Sequence, residues 1–218
     1  MVFFNCDGSR APMCGNGIRC FAHFCRDEGI AAGSSYPVKT LAGDMIVEVT
    51  CEEPFKVKIN MGRPLFTRES IKAVDCGESF LKRDLTLKDG SQHRIYSLFM
   101  GTIHTVVFTD SFDAIDVPAI GEEICNHPTF AEKTNVNFVK VIDDGTLEMM
   151  TYERGVGMTL ACGTGACASV VVAHKRGLCK SSAEVMLKLG SLNIDIKDDG
   201  DVYMEGPSVR ILKGEFCL

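Results

Sequence analysis

No stretch of this chain stays apolar over the roughly 20 residues that a membrane-spanning helix requires, which excludes a transmembrane helix. No run of Lys and Arg is interleaved with aromatic residues, and the net charge is −6 with a pI near 5.4. Nucleic acid and anionic membrane surfaces are therefore not expected as partners. Met1-Val2-Phe3-Phe4-Asn5 carries neither a basic region nor a long apolar run behind it, so it does not read as a signal peptide. No Cys-x-x-Cys occurs, and Cys14, Cys20 and Cys25 are too widely spaced for a zinc finger. The histidines, His104 and His127 among them, show no metal-ligating spacing, so no metal is expected. No Gly-Lys-Ser/Thr follows either glycine-rich turn, which excludes a P-loop.

What is present is ordinary globular material. The 218 residues allow one large domain or two of about 100 residues each. With 45% apolar and 24% charged residues there is enough substance for a real core. The 11 cysteines are odd in number, and Cys20, Cys25 and Cys167 sit inside apolar runs. They read as small buried thiols in a reducing, cytoplasmic setting rather than as a disulfide framework.

The chain carries a distant internal repeat. Residues 13–22 read Met-Cys-Gly-Asn-Gly-Ile-Arg-Cys-Phe-Ala, and residues 161–168 read Ala-Cys-Gly-Thr-Gly-Ala-Cys-Ala. Both place Cys-Gly-polar-Gly before an apolar helical run. The first run, 18–28, closes at Gly29, and the second, 166–176, closes at Gly177. The second has no polar face, as expected of a helix buried on all sides. Nearly everything else reads as strand: 45–50, 55–60, 93–100, 105–109, 135–141, 147–152, 183–189, 192–196 and 202–205. Turns at 42–44, 143–145 and 198–201 divide them. The expected fold class is α+β, with two pseudo-symmetric lobes, each a mixed sheet or barrel wrapped around a central helix, facing each other across a cleft. The expected first lobe is 1–60 plus 206–218, and the second is 61–205.

A cysteine just ahead of a helix meets unpaired backbone N–H groups and the positive end of the helix dipole. Such a position lowers a thiol pKa from about 8.5 into a range of about 3.5 to 7.5, suited to proton transfer near neutrality. Cys14 and Cys162 are therefore the candidate catalytic pair. Glycines let the backbone approach a ligand closely, and the N–H groups of Gly15, Asn16, Gly163 and Thr164 suit a carboxylate. The same donors would stabilise the charge that grows on that carboxylate when the α-proton leaves. Two equivalent thiols supply a base on one face of a stereocentre and an acid on the other, with no cofactor. A lone buried cysteine is far more often structural; the duplication is what distinguishes these two.

These residues resemble a known family. Asn5-Cys6-Asp7-Gly8-Ser9 with Met13-Cys14-Gly15-Asn16-Gly17-Ile18-Arg19-Cys20 is similar to the first active-site motif of diaminopimelate epimerases. Glu153-Arg154-Gly155-Val156-Gly157 with Thr159-Leu160-Ala161-Cys162-Gly163-Thr164-Gly165-Ala166 is similar to the second, and Met204-Glu205-Gly206-Pro207 with Gly214 to the closing segment. The resemblance spans the whole chain. It implies a cofactor-independent epimerase that interconverts LL- and meso-diaminopimelate in lysine and peptidoglycan biosynthesis, with Cys14 and Cys162 as the thiol/thiolate pair. It further implies that Asn5, Asn135, Glu153 and Arg154 read the distal end of a small amino-acid substrate. A two-pronged guanidinium suits a carboxylate and a carboxylate suits an ammonium. Without the motif, a Glu153–Arg154 pair reads equally well as a surface ion pair. Family members often dimerise, so the partner that the resemblance implies is a second copy of the chain, in a homodimer.

Two departures from the family pattern bear on substrate and activity. The family's opening segment, with His-Gly-x-Gly-Asn-Asp-Phe and a later Gly-Ala-Asp-Gly, has no counterpart here, so the first lobe is expected to be incomplete. The family's Gly-Asn-Pro-His stands here as Gly101-Thr102-Ile103-His104. Thr102 offers one short hydroxyl where Asn offers a donor and an acceptor, and His104 supports from beside it. Two alternatives therefore stand beside the leading one: the same chemistry on another amino acid, and an inactive, binding-only protein.

Overall fold

The computed structural model describes residues 1–4, 8–74 and 82–214. Asn5, a substrate-binding candidate, lies outside the described residues. The chain forms two compact units, Met1–Asn60 with Glu205–Leu218, and Met61–Met204.

In the first unit two short antiparallel strands, β1 (Phe3–Phe4) and β2 (Arg10–Ala11), precede helix α1 (Gly15–Asp27). β3 (Ser35–Thr40), β4 (Gly43–Glu52) and β5 (Phe55–Asn60) then form an antiparallel meander. α1 ends where Gly29 takes a positive φ of 67°, a conformation free of strain only without a Cβ. Its buried face carries Ile18, Arg19, Ala22 and Cys25, while Cys20 and Phe24 are exposed. Cys20 is thus not the buried thiol its apolar neighbours suggest. Helical spacing turns it away from Ile18, Ala22 and Cys25, which share one face. Val38, Val47, Phe55, Val57 and Ile59 supply the rest of the core, and β5 packs directly on α1.

The second unit opens with a short helix, α2 (Arg68–Ile71). β6 (Arg83–Thr86), β7 (Gln92–Phe99) and β8 (Ile103–Phe108) follow, then α3 (Val117–Cys125). β9 (Asn135–Asp143), β10 (Thr146–Glu153) and β11 (Gly157–Thr159) lead into α4 (Gly163–Lys175). β12 (Ser182–Leu187), β13 (Gly190–Ile196) and β14 (Val202–Pro207) close the chain, the last carrying it back into the first unit. The strand order is β14-β13-β12-β10-β9-β8-β7-β6, with β11 paired to β10. The β8–β9 and β10–β12 pairs are parallel.

Parallel pairing buries a sheet on both faces, and β8 and β9 show it: residues 103–107 and 135–139 are all buried. One face, with Ile103, Val107, Val136 and Phe138, packs on α2 and α3 through Ile71, Val117 and Ile124. Alternation turns His104 and Asn137 to the other face, the side on which Gly165 of α4 lies against Asn137. α4 itself is buried from Ala166 to Ala173 and touches β7, β8, β9, β10, β12 and β13. This is the helix without a polar face, held in a curled sheet. α3 was not apparent in the sequence, where the segment was assigned to no element. Gly121 lowers its helix propensity, and the helix is specified instead by its Asp116 cap, whose Oδ1 accepts the Ala119 N–H at 3.1 Å, by Pro118 in its first turn and by its apolar face.

Candidate active site

Each repeat motif starts a helix in the same way. Cys14 and Cys162 are the N-cap residues of α1 and α4, both 13 residues long, with extended backbones at φ −135°, ψ 119° and φ −134°, ψ 108°. The carbonyl of each accepts the first helical bond, from Ile18 and Ala166, at 2.9 Å. The amides that follow each cysteine, on Gly15 and Asn16 and on Gly163 and Thr164, belong to the first turn of their helices. The two sulfurs differ in their surroundings. Cys14 Sγ is partly exposed and accepts the Gly17 N–H at 3.4 Å. Cys162 is 6% exposed, and its Sγ lies 3.6 Å from the Thr164 hydroxyl.

Burial pushes the Cys162 thiol up to about 12, and the Glu153 carboxylate beside it pushes in the same direction. The Thr164 hydroxyl and the Gly165 amide pull the other way, without prevailing. A helix start alone does not make Cys162 a thiolate: desolvation of a buried sulfur outweighs the partial charges of the first helical turn. Eight cysteines, at 14, 20, 25, 51, 125, 162, 167 and 179, are free thiols among the described residues. Also among the described residues, no group of three or more His, Cys, Asp or Glu is disposed to hold a metal ion.

Around α1, the buried Arg19 donates to the Gly15 carbonyl and the Asn16 Oδ1, both at 3.1 Å, and to the Pro207 carbonyl at 3.2 Å. It ties the first helical turn to the closing strand and holds the Asn16 side chain, leaving the Asn16 candidacy to its backbone. Gly17 makes close approach possible: a Cβ there would lie 3.2 Å from the Phe3 ring.

The second unit brings Thr102, His104, Asn135, Glu153, Arg154, Cys162 and Thr164 into one neighbourhood. Asn135 Oδ1 accepts the Arg154 N–H at 3.0 Å. The Arg154 guanidinium donates to the Glu132 carbonyl at 3.0 Å and to the Thr102 hydroxyl at 2.8 Å. Thr102 thus holds the guanidinium in place. Glu153 Oε1 accepts the Thr159 hydroxyl at 2.6 Å, which fixes its carboxylate near Cys162. His104, fully buried, bonds Thr164 Oγ1 through Nε2 at 3.0 Å and Asn137 through Nδ1 at 3.1 Å. Burial, aided by the Arg154 charge, lowers His104 from 6.5 to about 3, so its imidazole is neutral at physiological pH.

Asn137, Thr151, Thr159 and Arg19 were missed in the sequence. For Asn137 a signal exists: two asparagines two apart in an otherwise apolar strand share a face, and a buried amide must be hydrogen-bonded. Thr151, paired with Asn137 across β9 and β10, gave none.

The fold is that of racemases and epimerases. The structure of a probable proline racemase from Agrobacterium radiobacter K84 superposes with a TM-score of 0.68 at 16% identity, covering 94% of this chain and 68% of that one. The diaminopimelate epimerase family profile matches residues 1–67 and 96–211. The diaminopimelate epimerase of Alkaliphilus metalliredigens is 39% identical over 218 residues, 99% of this chain and 77% of that protein. That of Halothermothrix orenii is 41% identical over 221 residues, 100% of this chain and 78% of that protein. The chain belongs to the diaminopimelate epimerase family, isomerases that act on amino acids.

Proposed function

We propose that this protein epimerises diaminopimelate between its LL and meso forms by a two-thiol mechanism, within the biosynthesis of lysine and peptidoglycan. The observation that carries it is the equivalence of Cys14 and Cys162 as N-caps of two helices with matching backbone geometry. One cysteine, as thiolate, removes the α-proton and becomes a thiol. The electron pair left behind is stabilised through the adjacent carboxylate, held by the amides of Gly15, Asn16, Gly163 and Thr164. The other cysteine, as thiol, returns a proton to the opposite face and becomes a thiolate. Atoms and charge balance without metal or cofactor. Cys162, whose thiol form is favoured by burial and Glu153, is the proton donor of the first turnover.

Arg154, braced by Thr102 and Glu132, is assigned to the distal carboxylate of the substrate, with Asn135 and Glu153 beside it. The test is deuterium incorporation at the α-carbon of diaminopimelate in D₂O. Cys14→Ala and Cys162→Ala should each abolish epimerisation, and full activity in either would overturn the proposal. A panel in which diaminopimelate is inert while another amino acid turns over would keep the chemistry and reassign the substrate.

A further inference from the structure

Beneath the first turn of α4 three neighbouring strands each contribute one buried polar side chain: Thr151 from β10, Asn137 from β9 and His104 from β8. All three are at most 2% exposed. With Thr164 and Cys162 they form an unbroken line. The Thr151 hydroxyl donates to Asn137 Oδ1 at 3.2 Å, Asn137 Nδ2 meets His104 Nδ1 at 3.1 Å, His104 Nε2 meets Thr164 Oγ1 at 3.0 Å, and Thr164 Oγ1 meets Cys162 Sγ at 3.6 Å.

We propose that Asn137 is a positioning residue for Cys162: it sets the tautomer of His104, and His104 in turn aims the hydrogen of the Thr164 hydroxyl at the Cys162 sulfur. An amide NH₂ only donates, so it leaves His104 Nδ1 as acceptor and puts the ring proton on Nε2. Nε2–H then donates to Thr164 Oγ1. With its oxygen already accepting, the Thr164 hydroxyl turns its own hydrogen to the sulfur. Every bond in the line then has a donor facing an acceptor.

A reversed amide would invert every step. Asn137 Oδ1 would accept from Nδ1–H, Nε2 would become an acceptor, and Thr164 would spend its hydrogen on the imidazole, leaving only oxygen lone pairs towards the sulfur. The surroundings of Asn137 select the first arrangement. Its Oδ1 lies against Gly165, where a Cβ would overlap that oxygen and fall 3.2 Å from Cγ. Gly165 is in the first turn of α4, the positive end of the helix, which favours an oxygen there over an NH₂ group. Gly165 is therefore the glycine that admits Asn137, whereas Gly17 in the other repeat admits the Phe3 ring.

The line matters because burial and Glu153 both disfavour the thiolate that must exist once Cys162 has given up its proton. A hydroxyl hydrogen on the sulfur lowers that cost. The inference rests on reading Cys162 as an acid–base thiol, but its test does not use epimerisation. In ¹⁵N-histidine-labelled protein, His104, assigned by the signals lost in His104→Gln, should carry its proton on Nε2. In Asn137→Asp the ionised carboxylate only accepts, and the proton should move to Nδ1. Thr164→Val should slow iodoacetamide alkylation of Cys162 by about tenfold at a fixed pH, the effect of one pKa unit. Thr164→Ser should restore the rate.

A wild-type Nδ1–H tautomer overturns the proposal by itself, even where Asn137→Asp fails to fold. So does a Thr164→Val protein that alkylates at the wild-type rate. Epimerisation surviving in Cys162→Ala would instead sink the catalytic role of Cys162 and leave the tautomer result standing.

Discussion

At Cys162 burial and the neighbouring side chains compete over one proton. Burial and the Glu153 carboxylate favour the thiol, while the Thr164 hydroxyl favours the thiolate. Of these, Glu153 is the one removable without opening a cavity, because Gln has nearly the same shape and can still accept the Thr159 hydroxyl that Glu153 holds at 2.6 Å. Replacing the carboxylate by a neutral amide removes a negative charge next to a sulfur that is about to become negative, so the thiol pKa must fall from about 12. Glu153→Gln should therefore alkylate Cys162 faster than wild type at pH 8, by about tenfold per unit of pKa lowered. Residue-resolved mass spectrometry of iodoacetamide adducts would check this, with Cys125, buried at the end of α3, as an internal reference. An unchanged or slower rate at Cys162 would show that burial alone holds the proton.

What could be read at this scale was the chemistry of short motifs. The Cys-Gly-x-Gly pair marked both helix starts, because a thiol ahead of glycines is hard to explain by core packing. The tuning of each sulfur was not legible. Cys14 and Cys162 look alike in the chain, yet one is partly exposed and the other buried beside a carboxylate nine residues upstream. The line through Asn137 and Thr151 depends on which strands are neighbours, which spacing along the chain does not state.

At the scale of elements, strands bounded by glycine turns were legible. β5 spans the residues its pattern indicates, and β4, β7, β9 and β10 differ from theirs by one or two residues at an end. β3, β6 and α3 were not, because their local composition is equivocal and tertiary contacts decide them. α3 makes the point quantitatively. Gly121 lowers its intrinsic helicity, and in an exposed helix Gly→Ala would stabilise by about 1 kcal/mol. Here the glycine faces β10: a Cβ would lie 2.8 Å from Tyr152 Cβ and 3.0 Å from its Cγ. These are side-chain root atoms, which cannot swing aside as a flexible tip can, so overpacking should exceed the propensity gain. Gly121→Ala should destabilise the protein by about 1–2 kcal/mol, read as a lower urea midpoint. A raised midpoint would mean that α3 can lift from the sheet at little cost.

At the scale of the whole molecule, the buried imidazole of His104 ties stability to pH. The unfolded chain protonates this ring near pH 6.5, and the folded chain does so only near pH 3, because burial and the Arg154 charge oppose the imidazolium. Between those values the unfolded state binds one more proton, so acid favours unfolding. The stabilisation is complete above pH 6.5 and is lost as pH falls through the window, with a slope of about 1.4 kcal/mol per pH unit for one proton. His127, lowered chiefly by partial burial, adds to the slope with the same sign, so the informative quantity is a difference. His104→Gln is less stable at pH 7 for want of its hydrogen bonds, yet between pH 6.5 and 4.5 its stability should fall less steeply than wild type, by nearly one proton. The chain has no tryptophan, so urea melts followed by far-ultraviolet circular dichroism at several pH values are the suitable measurement. Parallel pH profiles in the two proteins would mean that water reaches His104 in the folded state, and that the line from Asn137 to Cys162 is wet.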